Sequence, residues 1–177
     1  MKNVWLFGYG SLIWNPDIPY LDREPATLSG FVRKFWQGSH DHRGTPENPG
    51  RVVTLIPCEK GYCDGIAYLV SLSTVKSVFE KLDRREKNGY SKTKVFLNFT
   101  DKTNEEAITY IAKSINPAFL GPAPDPSIAK QIAVSSGPSG NNSEYLFKLA
   151  YSLRKHNFID KHVFELESLV RELQKDF

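Results

Sequence analysis

Glu86 continues the apolar face of a predicted helix, and a carboxylate in that position can act as a base. Val75, Phe79 and Leu82 repeat at the spacing of one helical face, which reaches Glu86 four residues later. Such a face packs on the rest of the fold, so the carboxylate is expected at the core or at a cavity beside it. Removal from water raises the pKa of a carboxyl group and makes it a usable general acid or base near neutral pH.

Two plainer interpretations of Glu86 stay open at this point. The residue lies in the last predicted helical turn, where helices fray and side chains reach water. Arg84, Arg85 and Lys87 also lie beside it and offer an ordinary ion pair. On the pattern alone, these structural interpretations are favoured over catalysis, because ion-pair networks also place carboxylates near cations.

A glycine-rich stretch near the N-terminus is the second candidate. Val4–Phe7 is a short apolar run that predicts a buried strand, and Gly8-Tyr9-Gly10-Ser11-Leu12 follows it directly. Two glycines around one tyrosine allow backbone conformations in which successive N–H groups point into one concavity, a nest that binds a carboxylate or phosphate. The Ser11 hydroxyl adds a donor or acceptor. A tight turn at a strand end is the plainer interpretation and is favoured by the spacing alone.

Several well-known motifs are absent from the sequence. Gly8-x-Gly10 does not continue as a dinucleotide fingerprint, because Ile13 occupies the third glycine position and Pro16 prevents the helix that must follow. Neither Ser11 nor Ser39 lies in the Gly-x-Ser-x-Gly turn of hydrolases. The chain also has no Walker loop, EF-hand or His-Glu-x-x-His sequence.

His40-Asp41-His42-Arg43 is a third polar cluster. With Cys58 and Cys63 its histidines give four potential zinc ligands, but a Cys-x4-Cys spacing is not usual for a zinc knuckle. A loop held together by Asp41 and Arg43 is the favoured interpretation, and no metal is predicted.

The length, composition and charge of the chain limit which classes of protein it can belong to. The 177 residues predict one domain, 1–177, and 40% apolar with 12% aromatic residues suffice for a packed core. The formal net charge of +3 is too mild and too unclustered to indicate a nucleic-acid partner. No signal peptide is recognised, and no apolar run approaches the ~18 residues of a membrane span. Two cysteines do not make a disulfide framework, so a cytoplasmic location is expected.

Strands are predicted first and helices last, which favours an α+β class with a curled or closed sheet. The predicted strands are Val4–Phe7, Leu28–Gln37, a hairpin of Arg51–Ile56 and Cys63–Val70 with Gly61 in its turn, Tyr90–Phe99 and Ala107–Ala112. The predicted helices are Thr74–Lys87 with Ser73 as N-cap, Asp125–Ser135, Glu144–Asn157 and Lys161–Gln174, and the long loops are 38–50 and 136–142. Asn88-Gly89 supplies a left-handed end to the first helix.

Taken together, these residues resemble the ChaC family of γ-glutamylcyclotransferases, cytosolic enzymes that degrade glutathione. The matching blocks span nearly the whole chain in order. They are Val4–Trp14, Phe35–Ser39, Asp41–Gly44, Pro49–Leu55, Leu82-Asp83, Arg85–Lys87, Gly89-Tyr90, Leu120–Pro124, Gly137–Gly140 and Glu144–Phe147. Arg84 and Asn88 depart from the family's pattern beside the glutamate, where they bear on local packing and substrate range.

The resemblance implies a small mixed β-barrel flanked by helices, with the site at one barrel end and two helices at the C-terminus. It implies that Glu86 is the catalytic general acid and base. The residues implied to bind the γ-glutamyl group are Leu6, Phe7, Gly8, Tyr9, Gly10, Ser11 and Leu12. The implied reaction is cleavage of glutathione to 5-oxoproline and Cys-Gly by intramolecular attack of the γ-glutamyl amine.

The expected partner is therefore a small molecule, with no metal or organic cofactor, no nucleic acid and no membrane. The expected assembly is a monomer or weak homodimer. A basic cluster, one of Arg33, His42, Arg43 or Arg51, is expected to meet the second carboxylate of glutathione. Two alternatives stay open: a cyclotransferase for other γ-glutamyl amino acids or amines, and a non-catalytic module that binds small anions.

Overall fold

The computed structural model describes residues 2–175. Within them lie seven strands, four α-helices and one 3-10 turn. The strands are β1 (Val4–Gly8), β2 (Asp22–Ser39), β3 (Gly50–Val70), β4 (Tyr90–Phe99), β5 (Asn104–Ala112), β6 (Ser136–Gly137) and β7 (Gly140–Asn141). The helices are α1 (Val75–Arg85), α2 (Asp125–Val134), α3 (Asn142–Lys155), α4 (Lys161–Leu173) and a 3-10 turn, Ser11–Ile13. Residues 1, 176 and 177 of the predicted domain lie outside the described range.

Strands β1 to β5 close into a barrel in the order β1-β3-β2-β4-β5. The β1 and β5 strands run parallel, and the other strand pairs of the barrel are antiparallel. Leu6, Phe7 and Tyr68 are buried with almost no exposed surface, Phe7 on one face of the barrel wall and the paired Leu6 and Tyr68 on the other. The predicted α+β class with a mixed barrel and two C-terminal helices is confirmed.

The predicted hairpin of Arg51–Ile56 and Cys63–Val70 is wrong, because both segments belong to the single strand β3. Both pair antiparallel with β2, Ile56 with Val32 and Cys63 with Leu28. The four residues between Pro57 and Tyr62 bulge from the ladder opposite Gly30, whose φ of +82° bends the partner strand. A polar, glycine-containing interruption therefore marks a bulge here, not a reversal of the chain.

Helix α1 ends at Arg85, directly before the candidate base Glu86. Its N-cap is Thr74, not the predicted Ser73, and its C-cap is Glu86, whose N–H donates to Leu82 O at 2.8 Å. Gly89 has a φ of +88°, as predicted for the left-handed residue after the helix. The side chain of Leu82 is buried and anchors this end of the helix on the barrel.

Helices α2, α3 and α4 pack together beside the barrel. Each of the two C-terminal helices buries one apolar stripe, which includes Leu146, Leu149 and Leu153 in α3 and Val163, Leu166 and Val170 in α4. The predicted loop 136–142 contains the short ladder of β6 and β7. Within residues 2–175, every helix is too short or too polar to cross a lipid bilayer.

Candidate active site

Two connected chambers lie where β1 ends and α1 ends. The larger has a volume of about 320 Å³ and the smaller about 40 Å³. Four residues line both: Ser11, Glu86, Tyr90 and Tyr145. A molecule that occupies both chambers therefore passes the Glu86 carboxylate.

The small chamber is the end of the barrel interior. Buried residues form its wall, among them Phe7 and Thr109 on β1 and β5. A single water needs about 10–15 Å³ of cavity volume, so the chamber has room for a group of a few atoms, such as a carboxylate.

The turn that follows β1 is held from three sides. The Tyr9 hydroxyl donates to Tyr110 O at 2.6 Å, and Tyr9 O accepts from Nε of Arg33 at 2.7 Å. The Ile13 N–H donates to Gly10 O at 2.9 Å. In the described part of the chain, the N–H groups of Gly10, Ser11 and Leu12 have no acceptor. Three donors at the chamber wall are thus available to an anion.

Five of the seven predicted γ-glutamyl-binding residues line the small chamber: Phe7, Tyr9, Gly10, Ser11 and Leu12. Leu6 and Gly8 line neither chamber. Leu6 is fully buried among core side chains. At Gly8 a Cβ atom would lie 2.7 Å from Leu12 Cβ, so this glycine permits the turn to fold back on itself.

The Glu86 side chain is 18% exposed and borders both chambers. Among residues 2–175, no group donates a hydrogen bond to its carboxylate, and the nearest cation is Arg85 Nε at 3.4 Å from Oε1. The pKa of Glu86 is raised above its ordinary value, and burial is the largest cause. The charges of Arg85 and His42 oppose this rise, and the charge of Asp41 adds to it. A carboxyl group with a raised pKa and no hydrogen-bond donor within the described chain is suited to exchange protons with a ligand.

Arg85 also reaches the turn after β1. Its Nη2 donates to Ser11 Oγ at 2.7 Å, and its Nη1 donates to Asn15 O at 3.0 Å. The guanidinium therefore contacts the turn and the carboxylate together. The ion pair that the sequence offered as a plainer interpretation of Glu86 exists, and it lies at the chamber wall.

The outer wall of the large chamber consists of residues 39–43 and the β6–β7 turn. The Ser139 N–H donates to His42 O at 2.9 Å. Arg43 Nη1 donates to Asn141 O at 3.1 Å and to Glu144 Oε2 at 2.9 Å. The expected pairing of Asp41 with Arg43 is wrong, because Glu144 takes the arginine.

The sequence profile of the family described as "ChaC-like protein" matches residues 4–173. The chain belongs to the ChaC family. The predicted resemblance is thereby confirmed over almost the whole sequence.

Named relatives of this ChaC chain agree with the assignment. It is 42% identical to "Gamma-glutamylcyclotransferase 2-3" of Arabidopsis thaliana over 96% of this chain and 89% of the relative. It is 41% identical to "Glutathione-specific gamma-glutamylcyclotransferase 1" of Danio rerio over 94% and 88%. A crystal structure of a yeast γ-glutamylcyclotransferase described as specific to glutathione superposes with a TM-score of 0.92, at 33% identity and 97% coverage of both chains.

Sequence reasoning missed two tyrosines of the ChaC chain's site. Tyr90 donates to Val53 O at 2.6 Å, and Tyr145 lies beside Gly10. Burial raises the pKa of both phenols above its ordinary value, so both stay neutral. The one O–H of Tyr90 is committed to Val53 O, whereas no acceptor within residues 2–175 takes that of Tyr145. In the sequence Tyr145 resembles any other apolar residue of α3, with whose buried residues it packs, and only the folded structure shows that it also borders the site.

The predicted basic cluster is divided by the fold. Arg33 is buried and binds Tyr9 O, Asp64 O and Asp160. Arg51 is buried and donates from Nη1 to two backbone carbonyls and from Nε to the amide of Gln131. Both are therefore occupied structural residues and line neither chamber, so they are not the members of the cluster that meet a substrate carboxylate.

The other two members of the predicted basic cluster, His42 and Arg43, line the large chamber. For the metal alternative, residues 2–175 contain no group of three His, Cys, Asp or Glu residues arranged to hold an ion. Cys58 is exposed and Cys63 is buried.

Proposed function

We propose that this protein is a γ-glutamylcyclotransferase that cleaves glutathione to 5-oxoproline and Cys-Gly, with Glu86 as general acid and base. The observation that carries the proposal is the Glu86 carboxylate, free of hydrogen bonds from the described chain, where the two chambers meet. The ChaC family assignment and the relatives named for activity on glutathione support the choice of substrate.

The α-carboxylate of the γ-glutamyl group binds in the small chamber under this proposal. The three N–H groups of Gly10, Ser11 and Leu12 are the donors. The α-carbon carries both this carboxylate and the amine, so the amine lies close to the residues that line both chambers. Glu86 is one of them, and it is the one with a basic group.

The reaction is an internal aminolysis. The neutral α-amine attacks the side-chain carbonyl carbon, a new C–N bond closes the five-membered ring, and the old amide C–N bond breaks. Holding the substrate folded supplies much of the rate, because effective molarities of well-oriented ring closures reach about 10⁵–10⁸ M. Roughly a tenth of an amine with a pKa near ~8 is already neutral at pH 7. Glu86 therefore needs to be only a modest base.

Glu86 takes the proton from the attacking nitrogen and returns it to the leaving amine. The carbonyl oxygen becomes negative in the transition state and needs a hydrogen-bond donor. The neutral phenol of Tyr145 and the N–H groups of the turn border the same space. The steps move protons and an acyl group only, so no metal or organic cofactor is part of the proposal. It includes a cytoplasmic location, a monomer or weak homodimer, and no nucleic-acid or membrane partner.

The proposal is tested by incubating the purified protein with glutathione and detecting products by mass. We expect equal amounts of 5-oxoproline and Cys-Gly. Comparison of kcat/KM with γ-glutamylalanine separates a glutathione enzyme from a cyclotransferase for γ-glutamyl amino acids. Binding of glutathione without any product would instead assign the site to a non-catalytic anion-binding module.

A further inference from the structure

The carboxylate of Asp41 contains an unpaired buried oxygen at the wall of the large chamber. Oδ1 has no contact with solvent and no hydrogen-bond partner, and it is the one side-chain polar atom in this state among residues 2–175. The other oxygen, Oδ2, lies 3.8 Å from His42 Nε2, too far for a hydrogen bond. Buried polar atoms in folded proteins are almost always paired, but a molecule in the chamber cannot contact an oxygen that has no accessible surface. The Asp41 side chain is 29% exposed, and Oδ2, which accepts no hydrogen bond within residues 2–175, is the oxygen that a partner from outside the chain can contact.

The partner must be a hydrogen-bond donor, because an ionised carboxylate only accepts. A γ-glutamyl dipeptide offers the α-amine, the scissile amide N–H and the peptide N–H of the leaving dipeptide. Asp41 lines the large chamber but not the small one, whereas Glu86 lines both. The amine and the scissile bond belong beside Glu86, so the peptide N–H is the donor that lies further out.

We propose that Asp41 determines specificity by accepting a hydrogen bond from the peptide N–H of the leaving dipeptide. This inference rests on the proposed function and deepens it, because it defines which γ-glutamyl compounds the site prefers. A γ-glutamyl amino acid has a carboxylate where the dipeptide has that amide. Asp41 repels such a carboxylate, and one residue thus favours the dipeptide and disfavours the single amino acid.

The neighbouring contacts hold Asp41 in this position without pairing it. The Arg43 N–H donates to Ser39 Oγ at 2.9 Å, and the His42 carbonyl accepts from Ser139 N–H. Arg43 itself is taken by Glu144 and does not neutralise the aspartate. The loop is thereby fixed on both sides of Asp41, and Oδ2 is held at the chamber wall as a preformed acceptor.

The test compares three substrates with Asp41→Asn and the parent protein. Glutathione and γ-glutamylcysteine amide both have an N–H after the cysteine carbonyl, and γ-glutamylcysteine has a carboxylate there. We expect Asp41→Asn to lower kcat/KM about five- to tenfold for the first two, because the amide oxygen still accepts the hydrogen bond and only the added strength of a charged acceptor is lost. For γ-glutamylcysteine we expect kcat/KM to be unchanged or higher.

Glu47→Gln is the matched control, since it removes one carboxylate from an exposed position of the same loop. We expect it to change none of the three rates. Asp41→Asn is nearly isosteric and removes no contact within the described chain, so its thermal midpoint should be no lower than that of the parent.

The outcomes separate the two proposals. Turnover of all three substrates by the parent with an equal loss in Asp41→Asn would place Asp41 on the shared γ-glutamyl part and overturn the inference alone. No loss with any substrate would leave the Asp41 carboxylate to water and overturn the inference as well. A parent protein that turns over none of the three would overturn the proposed function, and with it a substrate role for Asp41.

Discussion

Nε of Arg85 lies 3.4 Å from Oε1 of Glu86. The same guanidinium donates a hydrogen bond from Nη2 to Ser11 Oγ. One cation therefore joins the turn that follows β1 to the proposed base at the end of α1. Burial raises the pKa of the Glu86 carboxyl and the adjacent positive charge opposes that rise. The pH dependence of turnover therefore measures how strongly Arg85 affects the pKa of Glu86.

Replacing Arg85 by methionine should move the acid limb of the kcat/KM profile to higher pH. The proposed base acts in its ionised form, so activity falls as pH drops through its pKa. The guanidinium favours the ionised form and lowers the pKa, and its removal lets burial raise the pKa further. The measurement is kcat/KM for glutathione between pH 4 and 9. Arg84→Met, an exposed neighbour, is the control, and equal shifts in both variants would contradict a specific pair.

Glu86→Gln should keep the fold and lose turnover by about 10²–10⁴-fold, the usual contribution of a positioned general acid or base. Release of 5-oxoproline measures the loss, and circular dichroism checks the fold. Glu80→Gln, an exposed carboxylate on the same helix, is the control and should keep full activity. Undiminished turnover in Glu86→Gln would remove Glu86 from the mechanism.

The same substitution should raise thermal stability at pH 7. Burial places the pKa of Glu86 in the folded protein above its value in the unfolded chain. Its favourable contribution is complete below the unfolded pKa and is lost as pH rises through the folded pKa. Glutamine has no charge to bury, so Glu86→Gln should melt higher than the parent at pH 7 and lose that advantage near pH 4. Calorimetry at the two pH values gives the comparison.

The sequence was informative where one local pattern determines the outcome. The apolar stripe of Val75, Phe79 and Leu82 predicts where Glu86 points, because helix geometry alone sets that direction. Alternation along β2 also contains a signal that the interpretation of Arg33 overlooked. Arg33 and Phe35 lie two positions apart on β2 and are both buried, so alternation places this arginine on a buried face.

Other features depend on contacts between residues far apart in the sequence, and no pattern of neighbouring residues predicts them. The bulge in β3 is set by its register with β2 across Gly30, which the polar residues 58–61 alone do not reveal. Asp41 has an unpaired oxygen, and the neighbouring Arg43 pairs with Glu144, about a hundred positions along the chain. Such partners are fixed by tertiary contacts, and a pattern of neighbouring residues gives no information about them.

Arg33→Met should destabilise the fold by about 3–5 kcal/mol, as removal of one partner from a buried ion pair does. Arg33 Nη1 lies 2.6 Å from Asp160 Oδ2, with 1% and 14% of the two side chains exposed. The substitution leaves the Asp160 charge and the Tyr9 carbonyl without their donor. Urea denaturation measures the change. Lys94→Met, which breaks an exposed pair with Glu106, should have little effect, and a similar loss in both would contradict a special role for Arg33.

Gly10→Ala should lower kcat/KM for glutathione about 10²-fold, the size expected for a displacement of about 1 Å in a catalytic site. The new Cβ would lie 2.9 Å from Tyr145 Oη and 2.9 Å from Val53 Cγ2, so the chamber wall must move. Gly30→Ala is the contrast: its φ of +82° makes alanine strained, with no atom within 4 Å of the added Cβ. That variant should lose stability and keep its activity. Full activity in Gly10→Ala together with lost activity in Gly30→Ala would contradict the placement of the turn at the chamber wall.

Arg43→Gln should raise KM for glutathione and leave kcat nearly unchanged, because a contact to the remote carboxylate is made equally in the ground and transition states. Only Nη1 of Arg43 is engaged by Asn141 O and Glu144 within the described residues, so the rest of the guanidinium is available to a ligand in the large chamber. Glutathione monoethyl ester, blocked at the glycine carboxylate, should lose little between the parent and Arg43→Gln. Lys148→Gln removes the other cation bound to Glu144, outside the chamber, and should leave both substrates unaffected. A KM that rises equally for the acid and the ester would show that Arg43 maintains the wall and does not bind the carboxylate.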